Sequence, residues 1–176
     1  MKPFIGLKCG KVSLYLIDAW NMRSVAEMMS ERGGRAAMCE LIEARYGPRV
    51  DEAGERTRWG FYTRFNGHIA GFSSLWIKDG IAQTGAETLP IWRGNGIASM
   101  SKPALFHLAF EILGLDRVET ACAASNAASK ASIEKTPGFE FSGMGSGQEG
   151  EEEFRYVITR ESWAQHYKDV VVEVLR

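Results

Sequence analysis

Arg93-Gly94-Asn95-Gly96-Ile97-Ala98 is the stretch of this chain whose residue types and spacing most invite chemistry. It stops a strand-like segment and opens a long apolar-periodic one, where a helix should begin. A helix N-terminus carries backbone N–H groups with no intrahelical partner. They bear partial positive charge and accept anions. Glycines let a phosphate approach the main chain without meeting a Cβ, and Arg93 adds a full positive charge at the mouth. The stretch reads either as a phosphate site or as a plain strand-to-helix turn with a surface arginine. A P-loop is excluded, because no Lys-Ser or Lys-Thr follows the glycines. A dinucleotide fingerprint fits poorly, since Ser99 stands where a third glycine belongs and the loop follows an antiparallel meander.

A second stretch separates these readings. In "SNAASKASIEKTPGF" (125–139), Asn126 is a favoured helix N-cap and Ser129 suits a first turn, so each taken alone is structural. Taken with "RGNGIA", the pair resembles the GNAT family of acetyl-CoA-dependent N-acetyltransferases. Arg93, Gly96 and Ala98 match the fixed positions of R/Q-x-x-G-x-G/A. Asn126, Ser129, Glu134 and Lys135 match the N-x-x-S-x-x-x-x-E-K-x-G-F pattern of the branch with the ribosomal-protein N-terminal acetyltransferases. Gly138 and Phe139 follow after one extra residue, Pro137.

The resemblance implies an acetyl-CoA site in a V-shaped opening between two splayed strands. Amides of Arg93, Gly94, Asn95, Gly96, Ile97 and Ala98 would cradle the pyrophosphate. Thr88 and Leu89 would offer main-chain groups to the pantetheine arm, as an added strand does. That pairing stops at Pro90, which has no N–H. An N–H on this strand would also polarise the thioester carbonyl. Asn126 would bond the pantetheine arm, and Ser129 would stabilise or protonate the leaving thiolate. Lys130 is either a 3′-phosphate ligand or a solvated helix lysine. Many members carry a tyrosine acid after the asparagine; segment 126–136 has none, so that role falls to Ser129 or water.

The amine must lose a proton, and Glu87 is the carboxylate nearest the expected thioester, hence the candidate general base. Strand alternation puts Glu87 and Thr88 on opposite faces unless a bulge intervenes. Glu119 suits a structural ion pair at least as well. His68, His107 and His166 are scattered and form no nucleophilic constellation. Direct attack of a primary amine on the thioester is therefore expected. A non-catalytic acyl-CoA-binding sensor or partner protein is the alternative, and a nicotinamide-dinucleotide binder rests on two glycines alone.

The elements that must position these residues follow from pattern. "VSLYLI" (12–17) reads as a strand. Asp18 or Asn21 would cap a helix with Met22, Val25, Met28 and Met29 on one face, broken at "ERGGR" (31–35). A second helix ends at Gly47-Pro48, and 49–58 reads as a surface loop. Trp59–Phe65 and Ile69–Ile77 alternate around Asn66-Gly67, the best hairpin signal in the chain. Asp79-Gly80 turns into a third strand, 81–89. A helix of about four turns follows the glycine loop, containing Pro103 and closed by Gly114. "RVETAC" (117–122) is a strand, Asn126 caps a short helix, and "FEF" and "FRYVIT" flank a turn, "GMGSGQEGEEE". This is a mixed α/β domain spanning 1–176: by resemblance a GNAT-like fold, with a central twisted, largely antiparallel sheet and helices on both faces.

A chain of 176 residues buries a sufficient core alone. Net charge of −1 gives no nucleic-acid footprint. No apolar run reaches membrane-spanning length. Cys9, Cys39 and Cys122 are odd in number and lack CxxC spacing, which implies free thiols, no metal site and a cytoplasmic setting. The expected partner is an amine acceptor, either a protein N-terminus or a small amine such as a polyamine or amino sugar. Glu149, Glu151, Glu152 and Glu153 read as a solvated hairpin tip or a draw for a cationic amine. A homodimer is compatible with a domain of this size.

Overall fold

A computed structural model describes residues 4–29, 35–78, 81–147 and 150–176; of the predicted break at 31–35 only Arg35 is among them, and it opens a helix, while the Asp79-Gly80 turn and Glu149 lie outside them. In chain order the elements are β1 (Gly6–Cys9), β2 (Val12–Leu16), α1 (Met22–Met29), α2 (Arg35–Tyr46), β3 (Arg49–Val50), β4 (Arg56–Phe65), β5 (His68–Lys78) and β6 (Ile81–Thr88). There follow α3 (Ile97–His107), β7 (Arg117–Ala123), α4 (Ala127–Glu134), β8 (Glu140–Ser146), β9 (Glu152–Thr159), α5 (Arg160–His166) and β10 (Val172–Leu175). The strands join one sheet in the order β10-β1-β2-β4-β5-β6-β7-β9-β8, with β3 on the side of β4. Neighbours pair antiparallel except β6 and β7, which run parallel.

Asn66 and Gly67 both take positive φ, 49° and 84°, as a two-residue hairpin loop requires. Alternation then divides the sheet. Trp59, Phe61, Leu75, Ala82 and Val118 point to one face and bury against α3 and α5. Phe72, with Tyr62 beside it, points to the other and buries against Val25 and Ala26 of α1 and Ile42 of α2. α4 packs on the α3 side, where Ile133 meets Cys122 and Tyr156. Gly60 permits the closest docking: a Cβ there would collide with the main chain of Tyr46, so the end of α2 rests directly on β4.

The structure corrects several sequence expectations. Within 49–58, Arg49–Val50 and Arg56 onward are strand, joined by a turn in which the Asp51 carboxylate accepts from Ala53 N–H (3.0 Å) and Glu55 N–H (2.9 Å). Met28 does not join the α1 core; it is exposed and Ala26 takes its place. Asn21 precedes α1, but its side chain reaches back, accepting from Asp18 N–H and donating to Leu16 O. The predicted four-turn helix is α3 followed by one wide π turn, Leu108–Ile112, and Ser101 Oγ donates back to Ile97 O in the turn before Pro103. β8 and β9 extend into the glycine- and glutamate-rich segment, so Glu152 and Glu153 are strand residues. β1, α5 and β10 were not legible.

Lys102 ties α3 to α4. It is 6% exposed, and its Nζ donates to Thr136 Oγ1 (2.8 Å) and Ser132 O (3.3 Å). The Phe139 ring lies 5.5 Å away. Burial among these neutral groups lowers its pKa from 10.5 to about 8.

Candidate active site

β6 and β7 touch over a short span. Ala82 pairs with Val118 and Gln83 with Glu119. One further tie holds them, from the Thr120 hydroxyl to Thr84 O at 3.0 Å. β6 then runs on to Thr88 and β7 to Ala123, and the two strands part into a fork.

The main-chain direction along β6 follows from one bond. Leu89 N–H donates to Ala70 O at 2.9 Å, and Leu89 O accepts from Trp92 N–H. Leu89 is therefore committed to β5 and to the 3-10 turn Pro90–Trp92. Antiparallel pairing alternates which edge a residue's N–H and C=O face. Glu87 faces β5 like Leu89, while Ala86 and Thr88 face the fork. Of the expected pair Thr88 and Leu89, Leu89 thus turns its N–H to β5, while Thr88 and, two residues before it, Ala86 turn theirs to the fork. Strand parity carried that signal, once the register with β5 was known.

The glycine loop lies at the mouth of the fork. Gly96 caps α3 with φ 71° and no side-chain bond to the first turn. Gly94 also has positive φ, 80°, and a Cβ on either would meet no atom within 4 Å. Conformation, not crowding, demands glycine here, and the first-turn N–H groups look out over bare backbone. The Asn95 Nδ2 donates to Trp92 O (3.0 Å) and Arg93 O (3.4 Å), which braces the loop. Ile97 anchors it in the core. Arg93 is exposed, its Nε 3.4 Å from Thr88 O. The donor set of N–H groups, helix dipole and guanidinium fits a pyrophosphate.

Across the fork, Asn126 caps α4, its Oδ1 accepting from Ser129 N–H at 3.0 Å. Burial pushes the Cys122 thiol up, against the opposing pull of the neighbouring Ser129 hydroxyl. Lys130 sits 4.3 Å over the Phe154 ring and 3.8 Å from Glu134. Glu134 in turn accepts from the Tyr156 hydroxyl at 3.1 Å. Burial, first, and this bond push Tyr156 up to about 12.

Glu87 lies on the other face of β6. The β5–β6 register runs from Gly71–Thr88 to Lys78–Ile81 without a shift, so alternation holds and no bulge brings Glu87 beside Thr88. Its side chain lies with α2: Tyr46 Oη donates to Oε2 at 2.9 Å and Arg45 Nη1 stands 3.5 Å away. Gln83 and Gly85, on the same side of β6 as Glu87, line a cavity of about 560 Å³ under the fork, closed by Glu119, Glu153 and Arg155. Glu119 is paired with Arg117 at 3.4 Å. Sequence reasoning missed Tyr46 and Arg45, which reach Glu87 only through the docking of α2.

A mostly antiparallel sheet, with helices on both faces and one parallel pair forking beside a glycine-opened helix, defines an acyl-CoA N-acyltransferase type of fold. The profile of the acetyltransferase (GNAT) domain matches residues 11–140, well over half of the chain, and the chain belongs to this family of acetyltransferases. The fold is shared with AAC(6′)-Ib in complex with ribostamycin and coenzyme A (17% identity, TM-score 0.67, 91% of this chain and 99% of that one). It is also shared with a spermidine N-acetyltransferase SpeG chimera from Vibrio cholerae and hSSAT (15%, 0.66, 89% and 100%). A GNAT-family acetyltransferase from Bacillus anthracis gives 16%, 0.66, 89% and 99%. No curated protein sequence matches the chain. Among the described residues, no His, Cys, Asp and Glu side chains gather in a group fit for a metal ion, and no helix is long and apolar enough to cross a membrane.

Proposed function

We propose that residues 1–176 form one acetyltransferase domain that moves an acetyl group from acetyl-CoA to a primary amine by direct attack on the thioester. The observation that carries this is the fork between β6 and β7 opening at the N-terminus of α3. Acetyl-CoA supplies the activated acyl group. The N–H groups from Arg93 through Ala98 hold its pyrophosphate. Ala86 and Thr88 pair with the pantetheine arm, and an N–H of this pair polarises the thioester carbonyl. Asn126 bonds the arm from the opposite strand, and Ser129 donates to the leaving sulfur. Glu87 takes the amine proton from the other face of the sheet, the face that Gln83 and Gly85 share.

Relatives in fold act on amines: one is a spermidine N-acetyltransferase chimera, another an aminoglycoside acetyltransferase. In this reading the acceptor is a small amine or, as in the ribosomal-protein branch that the second motif resembles, a protein N-terminus.

The first test is a thermal melt with acetyl-CoA, CoA and NAD(H). Acetyl-CoA at about 100 times its Kd raises Tm by roughly 5–10 °C, and NAD(H) does nothing. No shift with any CoA species at millimolar concentration sinks the proposal. CoA release is then followed with spermidine, ribostamycin and a peptide with a free N-terminus. With the acceptor in hand, Glu87→Gln lowers kcat about 50-fold and leaves KM for acetyl-CoA unchanged. The loss stays below the full range of a general base because a half-exposed carboxylate leaves water as a substitute. Unchanged kcat removes Glu87 from the chemistry.

A further inference from the structure

The end of α2 is seated with unusual firmness for a surface helix. Its last residue, Tyr46, rests its main chain on Gly60 of β4, where a Cβ would not fit. Its ring stacks on Phe72 of β5, centroids 4.8 Å apart and planes 18° from parallel. Phe72 is also the residue paired with Glu87 across β5 and β6. Backbone, ring and strand register thus fix the Tyr46 hydroxyl relative to the Glu87 main chain before any side-chain bond forms. The hydroxyl donates to Oε2 at 2.9 Å. Arg45, the preceding residue, reaches the same oxygen at 3.5 Å. Both contacts fall on one carboxylate oxygen.

We infer that Tyr46 is the positioning residue for Glu87: its hydroxyl pins Oε2 against α2 and so turns Oε1 toward the acceptor side of the fork. A glutamate on an open strand samples many rotamers, and fixing it removes that freedom before the amine arrives. Burial first, and the Glu87 charge second, raise the Tyr46 pKa well above its ordinary value. The hydroxyl therefore remains a donor across the working pH range. Among the described residues, the charged and titratable partners of this carboxylate are Tyr46 and Arg45; the side facing β5 presents Phe72, which is apolar. This inference rests on the reading of Glu87 as the base.

The test is Tyr46→Phe, which keeps the ring on Phe72 and removes one oxygen. Crystal structures of the wild-type chain and the variant come first and need no acceptor. The Glu87 carboxylate is expected within hydrogen-bond reach of Tyr46 in the former, and turned away by more than 1 Å in the latter. A carboxylate that stays in place in the variant overturns the proposal. Kinetics with the amine found above give the second readout. Tyr46→Phe lowers kcat about tenfold, leaves KM for acetyl-CoA within twofold, and costs nothing further in a Glu87→Gln background. An equal loss in both backgrounds marks a merely structural role and overturns the proposal. Full activity of Tyr46→Phe beside a crippled Glu87→Gln overturns it too, but leaves the proposed function standing. Full activity of Glu87→Gln removes the premise instead. Should Tyr46→Phe fail to fold, Glu87→Asp draws the carboxylate back by one methylene. It is then expected to lose the bond and kcat together, and unchanged kcat overturns the proposal.

Discussion

A Gly96→Val variant will bind acetyl-CoA about 300-fold more weakly than the wild-type chain, a loss of about 3 kcal/mol. Two effects combine. Valine at φ 71° is strained, so the cap shifts toward ordinary φ and turns first-turn N–H groups away from the anion. The added methyls also project into the open space that a phosphate must enter. The same strain lowers folding stability by about 1–2 kcal/mol, which leaves the protein folded. Titration calorimetry reads the affinity and a thermal melt reads the fold. Gly54→Val is the control: its φ is 82°, it lies in the β3–β4 turn, and its Cβ meets nothing. It should show the stability loss with no change in affinity. Unchanged affinity in Gly96→Val would contradict the pyrophosphate role of the loop.

Stability will rise with pH between about 8 and 10.5 through Lys102. Below pH 8 the ammonium is protonated in both the folded and the unfolded chain. Above it the folded chain releases the proton, while the unfolded chain keeps it to about 10.5. The unfolded state then binds more protons, and stability increases with pH. A fall from 10.5 to about 8 corresponds to about 3 kcal/mol in total. Other groups act in the opposite sense. Burial pushes up the Cys9 and Cys122 thiols and brings Tyr167 to about 12, so the unfolded chain ionises them first at high pH. The difference between wild type and Lys102→Met therefore isolates the lysine. The Thr136 hydroxyl already donates to Ser132 O at 2.9 Å, so methionine strands neither partner. Urea unfolding should show Lys102→Met more stable at pH 7 by about 1–2 kcal/mol, with the advantage gone by pH 10. An advantage that persists at pH 10 would place its source in packing rather than charge.

Local signals in the sequence carried much of this arrangement. Asn66-Gly67 specified a hairpin because its turn is made by two adjacent residues. Asn126 and the glycine loop were legible because caps and positive-φ positions are written in single residue types. What escaped was decided by distant pairing. Leu89 was expected to face the coenzyme, yet its N–H belongs to Ala70, a partner nineteen positions earlier. Lys102 is buried through Thr136, a partner 34 positions later. Tyr46 gives no hint of Glu87 without Gly60, which brings the helix down onto the sheet. β1 and β10 are four residues each, too short for periodicity to declare them.

The pairing of those two short strands also orders events in time. Lys8 and Glu173 meet across 165 positions of chain, and β1 takes β10 as its outer neighbour from Gly6–Leu175 to Cys9–Val172. A ribosome delivers β10 some 160 residues after β1, at about 5–20 residues per second. For roughly ten seconds or more, the nascent chain carries β1 as an uncapped sheet edge, a template for any strand nearby. Closure of that edge thus waits until β10 has emerged, and until then the edge of β1 is open to mispairing.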